Sequence, residues 1–273
     1  MDISEFQSYL QSEEKSSNTI EKYIRDVRKF NEYVGTRELS KDIVIAYKKE
    51  LIDNNYAVRS INSMLASINA YLRYVDRTDC IVKSLRIQRQ TYCAEEKELT
   101  KTEYIRLINT ANNQGNYRLK LILETICATG IRVSELQYIT VEAVKKGEAL
   151  ISLKGKTRYI FIVKQLKKRL LEYARKNRIE KGVLFISRNG SPLNRTNIWR
   201  DMKELCNEAG VNQGKVYPHN LRHLFARTFY NVEKDIVKLA DILGHSSIDT
   251  TRIYTITSGY EHRRRMEKLR LII

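Results

Sequence analysis

Apolar side chains recur every three or four residues through the first eighty or so positions. They fall in four runs broken by short polar stretches, the spacing of one face of an α-helix. The run TIEKYIRDVRKFNEYVG places Ile20, Tyr23, Ile24, Val27 and Phe30 on one stripe, with Asn18 or Thr19 as the expected cap and Gly35 as the stop. A shorter amphipathic segment carrying Ile3, Phe6, Tyr9 and Leu10 precedes it. SKDIVIAYKKELIDNN follows, and then VRSINSMLASINAYLRYV, with Val58, Ile61, Leu65, Ile68 and Leu72 in helical register. Four helices are therefore predicted for residues 1–81. Their aromatic stripe reads as core rather than as a surface for stacking on bases.

The periodicity lapses over residues 82–98 (VKSLRIQRQTYCAEEKE), which are mostly polar or charged and read as a linker. Leu99 then leads into Thr100 and Glu103, a T-x-x-E capping box. A helix to about Asn112, a second ending at Gly130 and a third opening at Arg132 are expected. ALISLKGKTRYIFIV switches to strand character, with two β-rich runs flanking Lys154-Gly155 as in a tight hairpin. From about Gln165 onward the pattern is helical again, with a brief apolar run at Val183–Ile186. Pro192 and Pro218 stand in apparent loops. The expected architecture is mainly α: a four-helix N-terminal domain, a linker, and over residues 99–273 a mostly helical domain with a small antiparallel β-sheet.

Charge sharpens this picture. The formal net charge is +17. Residues 1–93 hold 15 Lys and Arg against 13 Asp and Glu, a net of +2, whereas residues 94–273 hold 34 against 19, a net of +15. An excess of this size, confined to the C-terminal two-thirds, points to a polyanionic partner. The bland alternative is a solvated surface. A membrane partner is disfavoured, because no basic stretch is joined to a strongly apolar helical face outside segments that look like core. Cys80, Cys93, Cys127 and Cys206 form no CxxC pair and read as free thiols of a reducing compartment. With no secretory leader pattern and no long apolar stretch, a cytoplasmic location is expected.

Five short segments carry candidate chemistry. ATGIRVSEL places Arg132 at the opening of a helix, where a guanidinium joins free backbone N–H groups to make a phosphate site. LKGKTRYIFI puts Lys156 at or just past the hairpin turn. YPHNLRHLFA sets His219 and Arg222 on one face of a helix that begins near Pro218. LADILGHSS places His245 directly after a helix-ending Gly244, and DTTRIYT carries Tyr254. Read singly, each has a structural explanation: a solvated Arg, a solubility Lys, a capping His beside a surface Arg, a half-buried packing Tyr.

Their joint order and spacing decide otherwise. The pattern T-G-x-R-x-x-E-L, hairpin K-x-R, H-x-L-R-H, L-G-H and T-x-x-Y, in that order across residues 99–273, resembles the tyrosine recombinase (phage integrase) family. In size the chain is similar to its short two-domain Xer-like or transposon-type members. The less specific N-terminal part looks like the family's core-binding domain. The resemblance implies a site-specific recombinase that acts on double-stranded DNA as a homotetramer, its two domains closing around the duplex as a clamp, and that needs neither metal, nor other cofactor, nor ATP. It implies Tyr254 as nucleophile, giving a 3′-phosphotyrosyl link and a free 5′-hydroxyl. It further implies Arg132 and Arg222 as clamps on the non-bridging oxygens, Lys156 as proton donor to the leaving 5′-oxygen, His219 in proton transfer with the nucleophile, and His245 as a hydrogen-bond partner of the phosphate. Glu135 would support Arg132. The resemblance also leaves room for an accessory DNA-bending or directionality protein, and for nucleoid association.

The physical logic agrees. Fixed Arg forks can stabilise charge building on a phosphodiester in transit without a metal. A tyrosine, with an ordinary pKa of about 10, needs cationic surroundings to attack near neutral pH. No P-loop, paired-carboxylate nuclease spacing or Cys/His zinc pattern is present.

Two departures stand out. Tyr159-Ile160-Phe161 follows the K-x-R where many relatives carry a Pro, and the hairpin turn is one residue shorter than usual. Lys156 is therefore preferred to Lys154 on its spacing to Arg158. The apolar end of the tail (Met266, Leu269, Leu271, Ile272, Ile273) would pack on its own domain or, as the resemblance implies, on a neighbouring protomer. A type IB topoisomerase shares the chemistry, and a catalytically silent DNA-binding regulator could share the fold. The motif wording leans towards a mobile-element integrase, while chromosome dimer resolution and inversion stay open.

Overall fold

A computed structural model describes residues 3–86, 98–153, 156–187, 190–254 and 267–268, with the side chains of Leu153 and Lys156 left out of the description. The chain divides into two compact units, Met1–Arg89 and Gln90–Ile273.

The first unit holds α1 (Ile3–Ser12), α2 (Ser17–Val34), α3 (Lys41–Asp53) and α4 (Val58–Tyr74), followed by a 3₁₀ turn at Thr78–Cys80. The expected stripes face inward, with Ile20, Ile24, Val27 and Phe30 from α2 and Ile61, Leu65, Ile68 and Leu72 from α4 all buried, but Val58, the first residue of α4, is 41% exposed. Each such side chain contributes about 1.5–3 kcal/mol when removed from water. Phe6, Phe30, Tyr47 and Tyr71 are core, with Phe6 edge-on to Tyr71 at 5.0 Å and Phe30 edge-on to Tyr47 at 5.2 Å, while Tyr9 lies at the surface. Helix α2 starts earlier than its apolar run suggests. Its cap is Ser16, which takes extended backbone angles and whose hydroxyl bonds the Thr19 hydroxyl at 2.8 Å, so Thr19 lies inside the first turn. Gly35 ends the helix at φ 58°.

After α4 the chain is tied back to it. Asn69 Nδ2 donates to the Val82 carbonyl and Asn62 Nδ2 to the Leu85 carbonyl, both at 2.9 Å. The Leu85 N–H returns a bond to Asn62 Oδ1 at 2.7 Å. Two amides on one face of α4 thus fix the extended segment that leaves the unit.

The second unit opens on the capping box: Thr100 Oγ1 accepts from the Glu103 N–H at 3.1 Å, and Glu103 Oε2 accepts from the Thr100 N–H at 2.8 Å. There follow α5 (Lys101–Asn113), α6 (Tyr117–Thr129), a 3₁₀ turn (Val133–Tyr138), α7 (Val141–Lys146), β1 (Glu148–Leu153), β2 (Lys156–Phe161), α8 (Lys164–Lys176), α9 (Arg195–Ala209), α10 (Pro218–Glu233), α11 (Ile236–Leu243), α12 (Ile248–Thr251) and a final 3₁₀ turn (Arg252–Tyr254). Helix α6 runs through the centre with Leu119, Leu121, Ile122, Leu123 and Ile126 all buried, and packs against α5, α8 and α10.

The two strands pair antiparallel from Glu148↔Phe161 to Leu153↔Lys156. Alternation turns Ala149, Ile151 and Ile160 into the core, while Tyr159 and Phe161 face water. The turn at Lys154-Gly155 lies outside the described residues, as do Cys93 and, apart from Glu267 and Lys268, the tail. Cys80, Cys127 and Cys206 are free thiols. Among the described residues no helix is long and apolar enough to cross a membrane.

The helix expected to open at Arg132 is instead the 3₁₀ turn. The Arg132 backbone is extended, and the Glu135 carboxylate reaches back to accept its N–H at 2.7 Å. That bond closes the turn and occupies a backbone donor that a helix start would have left free for an anion.

Candidate active site

Helix ends of the second unit bring the candidate residues together. Helix α6 stops at Gly130, left-handed at φ 67°, which turns the chain so that Arg132 follows directly. Arg132 Nη1 donates to Glu135 Oε1 at 3.0 Å, and from the hairpin Arg158 Nη2 donates to Glu135 Oε2 at 2.7 Å. Glu135 is fully buried, so its charge is met by these two guanidiniums. Gly244, at φ 64°, lies against Arg158 so closely that a Cβ there would overlap the guanidinium.

Arg222 lies deeper, at 1% exposure on α10. No carboxylate meets it in the hydrogen bonds described. Its Nη1 donates to the Gly130 carbonyl at 2.6 Å and its Nη2 to the Leu243 carbonyl at 2.7 Å. Those carbonyls lie at the C-terminal ends of α6 and α11, where unpaired C=O groups and the helix dipoles favour a cation. Burial, with Arg132 nearby, lowers the Arg222 pKa to about 10, which leaves it charged at neutral pH.

His245, just past α11, completes the floor. Its Nε2 stands 3.0 Å from Arg222 Nη2 and its Nδ1 2.9 Å from the hydroxyl of the buried Thr251. A guanidinium can only donate, so Nε2 accepts and the proton of the neutral ring sits on Nδ1. Burial, then the charges of Arg222, Arg132 and Arg158, push the His245 pKa down to about 4, in keeping with a neutral ring.

Tyr254, at 3% exposure, packs on Ala226, Leu239 and Leu243. Its ring stacks on His245 at 6.1 Å between centroids and meets His223 edge-on at 4.9 Å. His219 stands at the exposed end of the same helix face, its pKa lowered by partial burial and by Arg222, Arg132 and Arg195. Lys156 is the first residue of β2, opposite Leu153. Arg132, Arg158 and Arg222 against Glu135 leave this cluster with two net positive charges. That suits a phosphodiester, whose non-bridging oxygens could be held by Arg132 at the mouth and Arg222 below. Among the described residues there is no group of three or more His, Cys, Asp or Glu placed to hold a metal ion.

Residues 97–259 match the phage integrase family, and residues 3–78 match its N-terminal SAM-like domain. The chain belongs to the phage integrase family. Tyrosine recombinase XerA of Thermococcus kodakarensis is 31% identical over 279 residues, covering 99% of this chain and 95% of that protein. Among solved structures, the XerH site-specific recombinase bound to difH substrate in a pre-cleavage complex superposes with a TM-score of 0.71, at 19% identity, over 97% of this chain and 84% of that one. A lambda integrase tetramer bound to a Holliday junction gives 0.72, at 16% identity, over 92% and 75%. The chain is thus a tyrosine-type site-specific recombinase, and its two-unit, mostly helical fold is that of its relatives.

Three side chains of the candidate site carry no role in the motif pattern alone. Arg158 is legible only as a spacing marker for Lys156, His223 only as the last letter of H-x-L-R-H, and Thr251 only as the first letter of T-x-x-Y. The signal for Arg158 was available: strand alternation puts it on the same face as the buried Ile160.

Proposed function

We propose that the chain cuts and rejoins double-stranded DNA at a specific site through Tyr254. The phenol attacks a scissile phosphate to form a 3′-phosphotyrosyl bond and release a 5′-hydroxyl, and the reverse attack of a 5′-hydroxyl reseals a strand without ATP or metal. Arg132 and Arg222 hold the non-bridging oxygens, Lys156 protonates the leaving 5′-oxygen, and His219 moves the proton of the nucleophile. His245 hydrogen-bonds the phosphate. For that, its Nε2 exchanges Arg222 for the phosphate oxygen and its proton shifts from Nδ1, a change the Thr251 hydroxyl can accommodate because it both donates and accepts. Glu135 keeps Arg132 aimed.

The observation that carries this reading is Tyr254 held between two neutral imidazoles beside a buried guanidinium that has no carboxylate partner in the bonds described. A buried cation satisfied only by carbonyls keeps its charge available to an incoming anion.

The domain boundaries proposed are 1–81 for core binding, 82–98 for the linker and 99–273 for catalysis, with the two domains clamping the duplex. The solved relatives bound to a DNA substrate or assembled as a tetramer on a junction support a tetramer on DNA here. The proposed place of action is the cytoplasm, on nucleoid DNA. An accessory DNA-bending or directionality protein fits the same scheme. Nicked suicide duplexes tiled across the DNA flanking the gene test the proposal. The wild-type chain is expected to yield a protease-sensitive, SDS-resistant adduct that Tyr254→Phe abolishes while keeping DNA affinity. Adducts surviving in Tyr254→Phe would overturn the assignment of the nucleophile.

A further inference from the structure

His223 touches the nucleophile yet has no part in the mechanism above. On α10 it stands one turn after His219, and its ring fills the gap between His219, at 4.6 Å and 68°, and Tyr254, at 4.9 Å and 86°. Its Nε2 is buried and has no hydrogen-bond partner. An unpaired buried nitrogen destabilises a fold, and a phenyl ring would fill this wedge without that penalty. Burial, then the neighbouring His219, Arg222 and His245, pushes the His223 pKa down to about 4, so the ring stays neutral among the cations. A neutral imidazole keeps one N–H and one acceptor lone pair for use.

We propose that His223 is a positioning residue for Tyr254: its ring seats the resting phenol, and its unpartnered Nε2 takes a hydrogen bond with the Tyr254 hydroxyl as that side chain turns towards the scissile phosphate. This inference rests on the reading of Tyr254 as nucleophile. The seat explains why a side chain that must move is nonetheless almost fully buried. The spare nitrogen explains why the seat is an imidazole.

The test compares wild type, Tyr254→Phe, His223→Gln and His223→Phe on nicked duplexes randomised in sequence around the nick. Single-turnover adduct formation, duplex affinity and thermal melting are measured together. Gln carries an amide nitrogen to about the place of Nε2 and is expected to cleave within about threefold of wild type. Phe is expected to melt at or above wild type and to bind the duplex equally well, yet to form adduct about tenfold more slowly. A residue that merely packs would give the opposite: Phe as fast as wild type. That result, or Gln as slow as Phe, overturns the inference. If His223→Phe does not fold, His223→Asn replaces it, because its amide reaches only the Nδ1 position. Asn slower than Gln supports the proposal, and equal rates overturn it. Absence of adduct from wild type, or its persistence in Tyr254→Phe, strikes instead at the functional reading and removes the ground of this one. A normal Tyr254→Phe block beside unaffected His223 variants removes only the positioning role.

Discussion

Glu135→Ala removes the carboxylate that Arg132 and Arg158 share, and its cost can be worked out bond by bond. Three hydrogen bonds end on that carboxylate, from the Arg132 N–H at 2.7 Å, Arg132 Nη1 at 3.0 Å and Arg158 Nη2 at 2.7 Å. Bonds to a charged group contribute about 1.5–3 kcal/mol each when sheltered from water. They are not equally sheltered here. The Arg132 side chain is 41% exposed and can rehydrate, which limits its side-chain bond to about 1 kcal/mol or less. Arg158 is 14% exposed and Glu135 fully buried, so the cation left on the hairpin has little access to water. Breaking a buried pair from one side costs about 3–5 kcal/mol, and that range is adopted as the total. In a domain of this size each kcal/mol lowers the melting temperature by about 2–4 °C, so Glu135→Ala should melt roughly 6–20 °C below wild type. Glu135→Gln keeps an acceptor oxygen and should fall between the two. Circular dichroism melts at pH 7.5 read the stability. Adduct formation on nicked duplex, measured well below both transitions, reads the aim of Arg132 and should drop at least about tenfold, one lost charged hydrogen bond in the transition state. A Glu135→Ala melt within about 2 °C of wild type would refute the reasoning, because it would mean that both guanidiniums find water as easily as they find Glu135.

Two further outcomes follow from the same site. Because the folded-state pKa of both His223 and His245 lies near 4, against about 6.5 in an unfolded chain, the unfolded state binds more protons between those values, so stability present at pH 7 is lost as the pH falls through that window. The melting temperature should therefore be lower at pH 5.5 than at pH 7.5, by less in His223→Phe, and equal melting at the two pH values would contradict the neutral assignment. Gly244→Ala combines a left-handed backbone angle with a Cβ that displaces Arg158, whereas Gly182→Ala, at φ 77°, meets open space. Both should lose about 1 kcal/mol to backbone strain, but only Gly244→Ala should also slow adduct formation, and equal rates in the two would show that Arg158 does not need its place.

The parts of this molecule visible in its sequence are those set by neighbours along the chain. The helical stripe ending at Phe30, the Thr100–Glu103 box and the strands flanking Lys154-Gly155 all depend on residues a few positions apart. The 3₁₀ turn after Arg132 departs from the expected helix for a related reason. Glu three residues past a possible cap is also how an α-helix begins, and the spacing does not distinguish a carboxylate that starts a helix from one that closes a single turn.

The holding of Arg222 shows where such reading stops. Its motif position was plain, but its partners are the Gly130 and Leu243 carbonyls, backbone atoms at the ends of two helices far apart in the chain. A carbonyl has no letter of its own in a sequence. What the sequence does carry is the residue after each helix end, Gly130 itself and Gly244, whose left-handed angles stop α6 and α11 with their last carbonyls turned towards one guanidinium. The glycines in T-G-x-R and L-G-H can therefore be understood as parts of the arginine's site. The same argument applies to His223 and Tyr254, which come together only because the final 3₁₀ turn packs against α10. Until that packing is known, the second His of H-x-L-R-H has no partner to suggest what it does.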